Sequence, residues 1–178
     1  MCGGEALFSE WVGQAWLGLP IDHGRLLLIP PVTWLALILF SVIAACFDIR
    51  ERRIPNGLNL LGLVFFLALH IGLGSGEGGV LAFLSIGVLM LVPTLLGLWG
   101  QGDFKMAMVC GAALGVLPTL VIWWLALLLA KGSSVLARRF DVRWLQFDAQ
   151  SGLPVAAFVL IAVVLLYAGL SFLVSASG

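Results

Sequence analysis

Apolar residues fill this chain in long runs, and polar residues punctuate them. No run shows the strict alternation of a half-buried strand, so each reads as a helix. The first run is Leu26 to Phe47, entered through Pro30 and Pro31 and stopped at Asp48. A second, about Leu58 to Leu73, follows the polar stretch from Ile49 to Gly57. A third, Val80 to about Trp99, follows the glycine-rich loop 74–79 and contains Pro93, a potential kink. The last runs from about Leu153 to Val174. Upstream, residues 1–25 mix charges with Trp11, Trp16 and Leu19, which suits a segment lying in the membrane interface. The chain thus divides into an interfacial segment, 1–25, and a membrane domain, 26–178.

The stretch from Met106 to Ala130 fits either one long helix or two short ones meeting near Gly115 to Pro118. Basic residues decide between them, because they gather on the cytoplasmic side. With two helices the chain has six spans, and eight of its nine basic residues fall inside, all but Arg25. With one helix, the segment Lys131 to Arg143 would move outside. The expectation is therefore six spans, both termini outside, with spans 4 and 5 short for a full crossing. Residues 131–150 form a cytoplasmic loop in this arrangement. Leu136, Phe140 and Trp144 recur there at a spacing of four, as in an interfacial helix.

Composition narrows the class. Of 178 residues, 62% are hydrophobic and 10% charged, against about 25% charged in soluble domains. Mean hydropathy is +1.15. The expected fold is an all-α integral membrane protein with about six transmembrane helices, short loops and the lipid bilayer as its partner. Net charge is zero, so nothing points to nucleic acid. Cys2, Cys46 and Cys110 show no CxxC spacing; neither a zinc site nor a disulfide framework is expected. Cys46 and Cys110 read as small core residues, and Trp34 and Trp99 as interface anchors.

Ionisable groups at membrane depth are costly and mark candidate functional sites. Asp48 ends the first span and Asp103 begins the fourth. Two spans lie between them, so both carboxylates return to one face of the membrane. Two carboxylates in a poorly hydrated site share a proton, one activating water while the other donates to a carbonyl. That is aspartyl protease chemistry, and it needs no cofactor. Taken singly, each residue could equally be a span-end charge or a helix cap.

The residues around the two aspartates resemble the motifs of the prepilin (type IV leader) peptidases. Asp48, a basic stretch that includes Arg50, and then Ile54-Pro55-Asn56 resemble the first motif. Gly100-Gln101-Gly102-Asp103-Phe104-Lys105 resembles the second, a Gly-x-Gly-Asp signature shared with presenilin-type intramembrane aspartyl proteases. The resemblance covers roughly Leu35 to Leu170. It implies an endopeptidase of the cytoplasmic membrane that removes the short basic leader from prepilin-like membrane proteins at the cytoplasmic face. Asp48 and Asp103 would take the catalytic positions, with Gly100, Gly102, Lys105, Arg50, Pro55 and Asn56 as motif residues around the substrate. The glycines would let a substrate backbone approach Asp103. Long family members carry a methyltransferase region with two CxxC pairs. This chain lacks those pairs and resembles the short form, as in tight-adherence pilus and archaeal preflagellin systems.

A proton- or cation-coupled transporter or channel subunit is the competing reading, since paired intramembrane carboxylates also carry protons. A proton site has no need of Ile-Pro-Asn or of flanking glycines. His70 with Ser75 reads more readily as an interfacial histidine and a loop serine than as a nucleophilic pair. Gly111 and Gly115 have the spacing of a small-residue helix contact, and Pro154 reads as a helix start. Helix dipoles suggest roles for the pair. Asp48 at a helix C-terminus would be the protonated acid and Asp103 at an N-terminus the ionised base. Arg50, Arg52 and Arg53 pull the other way.

Overall fold

The computed structural model describes residues 29–73, 76–96, 100–140 and 155–177. These form six α-helices: α1 Pro31–Glu51, α2 Asn56–Gly72, α3 Gly76–Leu95, α4 Gln101–Leu114, α5 Val116–Phe140 and α6 Val155–Ser177. No strand occurs among the described residues. Four helices are long and apolar enough to cross a bilayer: α1, α3, α5 through its first 18 residues, and α6. The protein is an all-helical membrane protein. Large apolar side chains such as Leu61, Val88, Leu95 and Phe172 are mostly exposed, as they would be against lipid.

The bundle is two trios. α2, α3 and α4 pack together, and α6 packs between α1 and α5. Fewer contacts join the trios, chiefly through α4 and α5. α4 is the innermost element: every residue from Met106 to Leu114 except Met108 is buried. Its small residues explain the depth. A Cβ on Gly111 would lie 2.8 Å from Ile86 Cγ1 and 3.2 Å from the Ala82 carbonyl oxygen, so α3 approaches α4 closely only because Gly111 has none.

The two-helix reading of 106–130 holds, with the break at Gly115. Its φ of 91° is a conformation that glycine adopts without steric cost. Gly115 is therefore a turn, and the close helix contact expected of the pair is seen at Gly111. A helix end among apolar groups needs its carbonyls satisfied. The Nε2–H of His70, at the end of α2, donates to the Ala113 carbonyl at 3.1 Å. Thr119 Oγ1 donates to the Gly115 carbonyl at 2.7 Å, and the Gly115 N–H to that of Gly111 at 2.9 Å. His70 is thus a tether between trio helices; Ser75 lies outside the described residues.

Three further expectations need correction. α5 does not end at Lys131 but continues to Phe140. No proline interrupts 131–140 to end the helix there, and Ser133 Oγ donates to the Ala130 carbonyl at 2.9 Å. Trp144, the rest of the expected interfacial helix and segment 1–25 lie outside the described residues. Trp34 is 3% exposed and stacks at a tilt on Tyr167, with ring centroids 5.6 Å apart, so it is core and not an interface anchor. Cys46 is exposed on α1, whereas Cys110 is buried as expected.

Candidate active site

α1 runs one turn past the stop that Asp48 suggested, to Glu51. Arg52 ends it in the left-handed region (φ 53°), its N–H donating to the Asp48 carbonyl at 3.0 Å. That turn reverses the chain into Arg53, Ile54 and Pro55. Pro55 then starts α2: its fixed φ suits the cap position, and its carbonyl accepts from Leu58 at 3.1 Å and Asn59 at 3.3 Å.

Asp48 is nearly buried, at 9% exposure. Its Oδ2 accepts the Ala156 N–H at 3.0 Å, from the first turn of α6. A carboxylate on one helix thus caps the start of another, 108 residues away. Asp103 occupies the first turn of α4. Its Oδ2 accepts the Gly100 N–H at 3.3 Å, while the Phe104 N–H donates to the Gly100 carbonyl at 3.1 Å. Asp103 lies outside the four spanning helices, and its carboxyl is pushed up to about 6. Burial is the main cause and the neighbouring Asp48 charge the second; the Gly100 N–H opposes both.

Both aspartates line one cavity of about 730 Å³, where the α1–α2 turn meets the start of α4. The two motifs interlock there. Lys105 Nζ donates to Asn56 Oδ1 at 2.7 Å. Buried Ile54 packs on Gly102, where a Cβ would sit 3.8 Å away in ordinary contact. A Cβ on Gly100 would come within 3.1 Å of Asp103 Oδ2 and disturb its seat. A side chain at 100 would thus crowd the Asp103 carboxyl, whereas one at 102 would make only ordinary contact.

Of the sequence-derived site residues, Asp48, Asp103, Gly100, Gly102, Lys105, Pro55 and Asn56 all line this cavity. Arg50 does not. It lies exposed in the last turn of α1, where a cation suits the helix dipole, while Arg52 and Arg53 line the cavity after the turn. Glu51 and Gln101 also line it and were not singled out from sequence; polar residues adjoining a motif carry no distinguishing signal. Ala156 was missed for a different reason: its contribution is a backbone N–H, and only Pro154 hinted at a helix start nearby. No three His, Cys, Asp or Glu side chains among the described residues are grouped as a metal set.

The dipole argument for the pair loses its asymmetry. Asp48 ends its own helix but sits on the positive end of α6, so both carboxylates receive an N–H from a helix start.

The sequence model of the type IV leader peptidase family matches residues 35–170, and the chain belongs to this family. It is accordingly a membrane protease of the prepilin-processing kind, and a prepilin-like membrane protein is its implied substrate. No curated protein and no solved structure matches the chain.

Proposed function

We propose that the protein is an aspartic endopeptidase in which Asp48 and Asp103 act as one dyad. It would cut the basic leader from prepilin-like precursors at the cytoplasmic face of the cell membrane. The observation that carries this reading is the shared cavity: two carboxylates from different helix trios, Asp48 buried and Asp103 half-buried, line one space large enough for an extended peptide. The family supports leader peptidase activity in general. The placement of basic residues supports the cytoplasmic face, since Arg52, Arg53 and Lys105 line the cavity.

In the proposed reaction the dyad starts with one proton. Asp103 holds it, and ionised Asp48, whose Oδ2 accepts the Ala156 N–H, takes a proton from water. The water oxygen bonds to the scissile carbonyl carbon while Asp103 donates to the carbonyl oxygen. The tetrahedral intermediate then collapses: Asp103 recovers its proton, the C–N bond breaks, and Asp48 passes the water-derived proton to the leaving amine. Water is consumed and the dyad is restored. Gly100 and Gly102 both line the cavity, which supports a close approach of the substrate backbone to Asp103.

The test is incubation of the purified protein with a precursor having a basic leader, a glycine and an apolar helix, with the cut site read by mass spectrometry. Cleavage after the glycine by the wild type, and none by Asp48→Asn or Asp103→Asn, is the expected result. Near-normal turnover by either variant would overturn the assignment.

A further inference from the structure

Asn59 is 5% exposed, yet neither its carboxamide oxygen nor its nitrogen has a hydrogen-bond partner among the described residues. The hydroxyls of Thr33 and Ser41 are also buried and unpartnered. A helical hydroxyl reaches a carbonyl of its own preceding turn by one rotation, whereas a carboxamide must satisfy donors and an acceptor at once. Keeping such a group buried and unpaired is costly, so a partner that arrives later gains by matching it.

The surroundings of Asn59 indicate which partner. It lies one turn beyond Asn56 on α2 and lines a second cavity of about 310 Å³, with Leu60, Leu63, Phe83 and Met108. This groove between α2, α3 and α4 shares Asn56 and Lys105 with the catalytic cavity. The Lys105–Asn56 hydrogen bond therefore stands at the junction of a charged space and an apolar one. The implied precursors change character in the same way, from a basic leader to an apolar segment.

We infer that Asn59 binds the main chain of the substrate just past the cut bond, and that the groove seats the first apolar residues that follow. This inference rests on the peptidase reading above. A carboxamide is the complement of a peptide group: its oxygen accepts from N–H and its NH₂ donates to C=O. A helical segment has both groups internally bonded and gives Asn59 nothing. A strand unwound for cleavage has both free, in surroundings where water cannot satisfy them. Asn59 thus recognises the unwound state and holds it in register with the aspartates. A lipid acyl chain would fit the walls but leave the carboxamide unpaired.

The test uses the full-length protein in detergent with the same precursor. Asn59→Leu removes the unpaired group, so its unfolding temperature should match or exceed that of the wild type. Its kcat/KM should fall roughly tenfold or more, mainly through KM, as expected for a lost polar contact to substrate. Unchanged kcat/KM would overturn the inference, as would a loss of kcat alone accompanied by a lowered unfolding temperature. In a second measurement, a photocrosslinker at position 60 in the Asp103→Asn protein should attach to precursor residues just after the cut. Attachment only to lipid, or to the leader, would overturn it. The two readings fail separately. Activity in Asp48→Asn or Asp103→Asn removes the peptidase dyad itself, whereas two dead aspartate variants beside a fully active Asn59→Leu remove only the role of Asn59.

Discussion

Asp48 and Asp103 line the same cavity but are held in different ways. Asp48 sits in the last turn of a 21-residue spanning helix and is fixed from another helix, by Ala156 of α6. Asp103 sits in the first turn of a 14-residue helix and is fixed from three residues away, by Gly100. One carboxylate depends on the meeting of α1 and α6, the other on its own loop. Asp48 therefore links α1 to α6 within its trio, whereas Asp103 ties only the start of its own helix.

The sharpest break in this comparison is activity, where the two should behave alike. Asp48→Asn and Asp103→Asn should each lower cleavage of a precursor by at least about 10³-fold, because a dyad with one member lacks an acid–base pair. A gel-based cleavage assay with both variants suffices. Unequal residual activities would show that the two carboxylates do not act as a unit.

Stability should then separate them. Asp103 binds its proton more tightly folded than unfolded. The stability tied to this group is full below pH 3.8 and is lost as pH rises through about 6. At neutral pH, Asp103→Asn should therefore stabilise the protein, by up to roughly 3 kcal/mol for a shift of this size. Asp48→Ala also removes the α6 cap, worth about 1–2 kcal/mol, and should therefore leave the protein less stable than Asp103→Asn does. Thermal unfolding in detergent at pH 7 would read the difference, and repeating it at pH 4 should erase most of the Asp103→Asn gain. The same proton should shape catalysis, with kcat/KM falling above about pH 6 as the dyad loses it.

The comparison also shows what a sequence can disclose. The seat of Asp103 was legible because what holds it is local: Gly100 and the start of α4 lie within three residues of it. The six helices were legible because apolar runs, charge placement and one glycine break fix their number. The cap on Asp48 was not, since a backbone N–H leaves no mark on residue type and its partner lies 108 positions away. Arg50 was misplaced for a related reason. A charge after Asp48 looked like the start of a loop, yet the helix continues to Glu51 and carries Arg50 away from the cavity.

The smallest effects refine the boundary of the site. Lys105→Ala, which breaks the link to Asn56, should lower kcat/KM about tenfold, the scale of one charged hydrogen bond. Arg50→Ala should change neither kcat/KM by more than about twofold nor stability by more than about 0.5 kcal/mol. Measured side by side, they would show whether the cavity lining or the motif as written defines the functional residues.

The Gly115 turn has a consequence for biosynthesis. At 1.5 Å per residue, the 14 residues of α4 rise only about 21 Å, against a hydrocarbon core of about 30 Å. α4 also carries Asp103 and Lys105, each of which opposes insertion. A nascent chain cannot hand such a segment to the membrane by itself. α4 has to enter together with α5 as a hairpin led by Gly115, drawn in by the apolar first 18 residues of α5. Asp103 thus reaches its depth only after residues well downstream of it have been made.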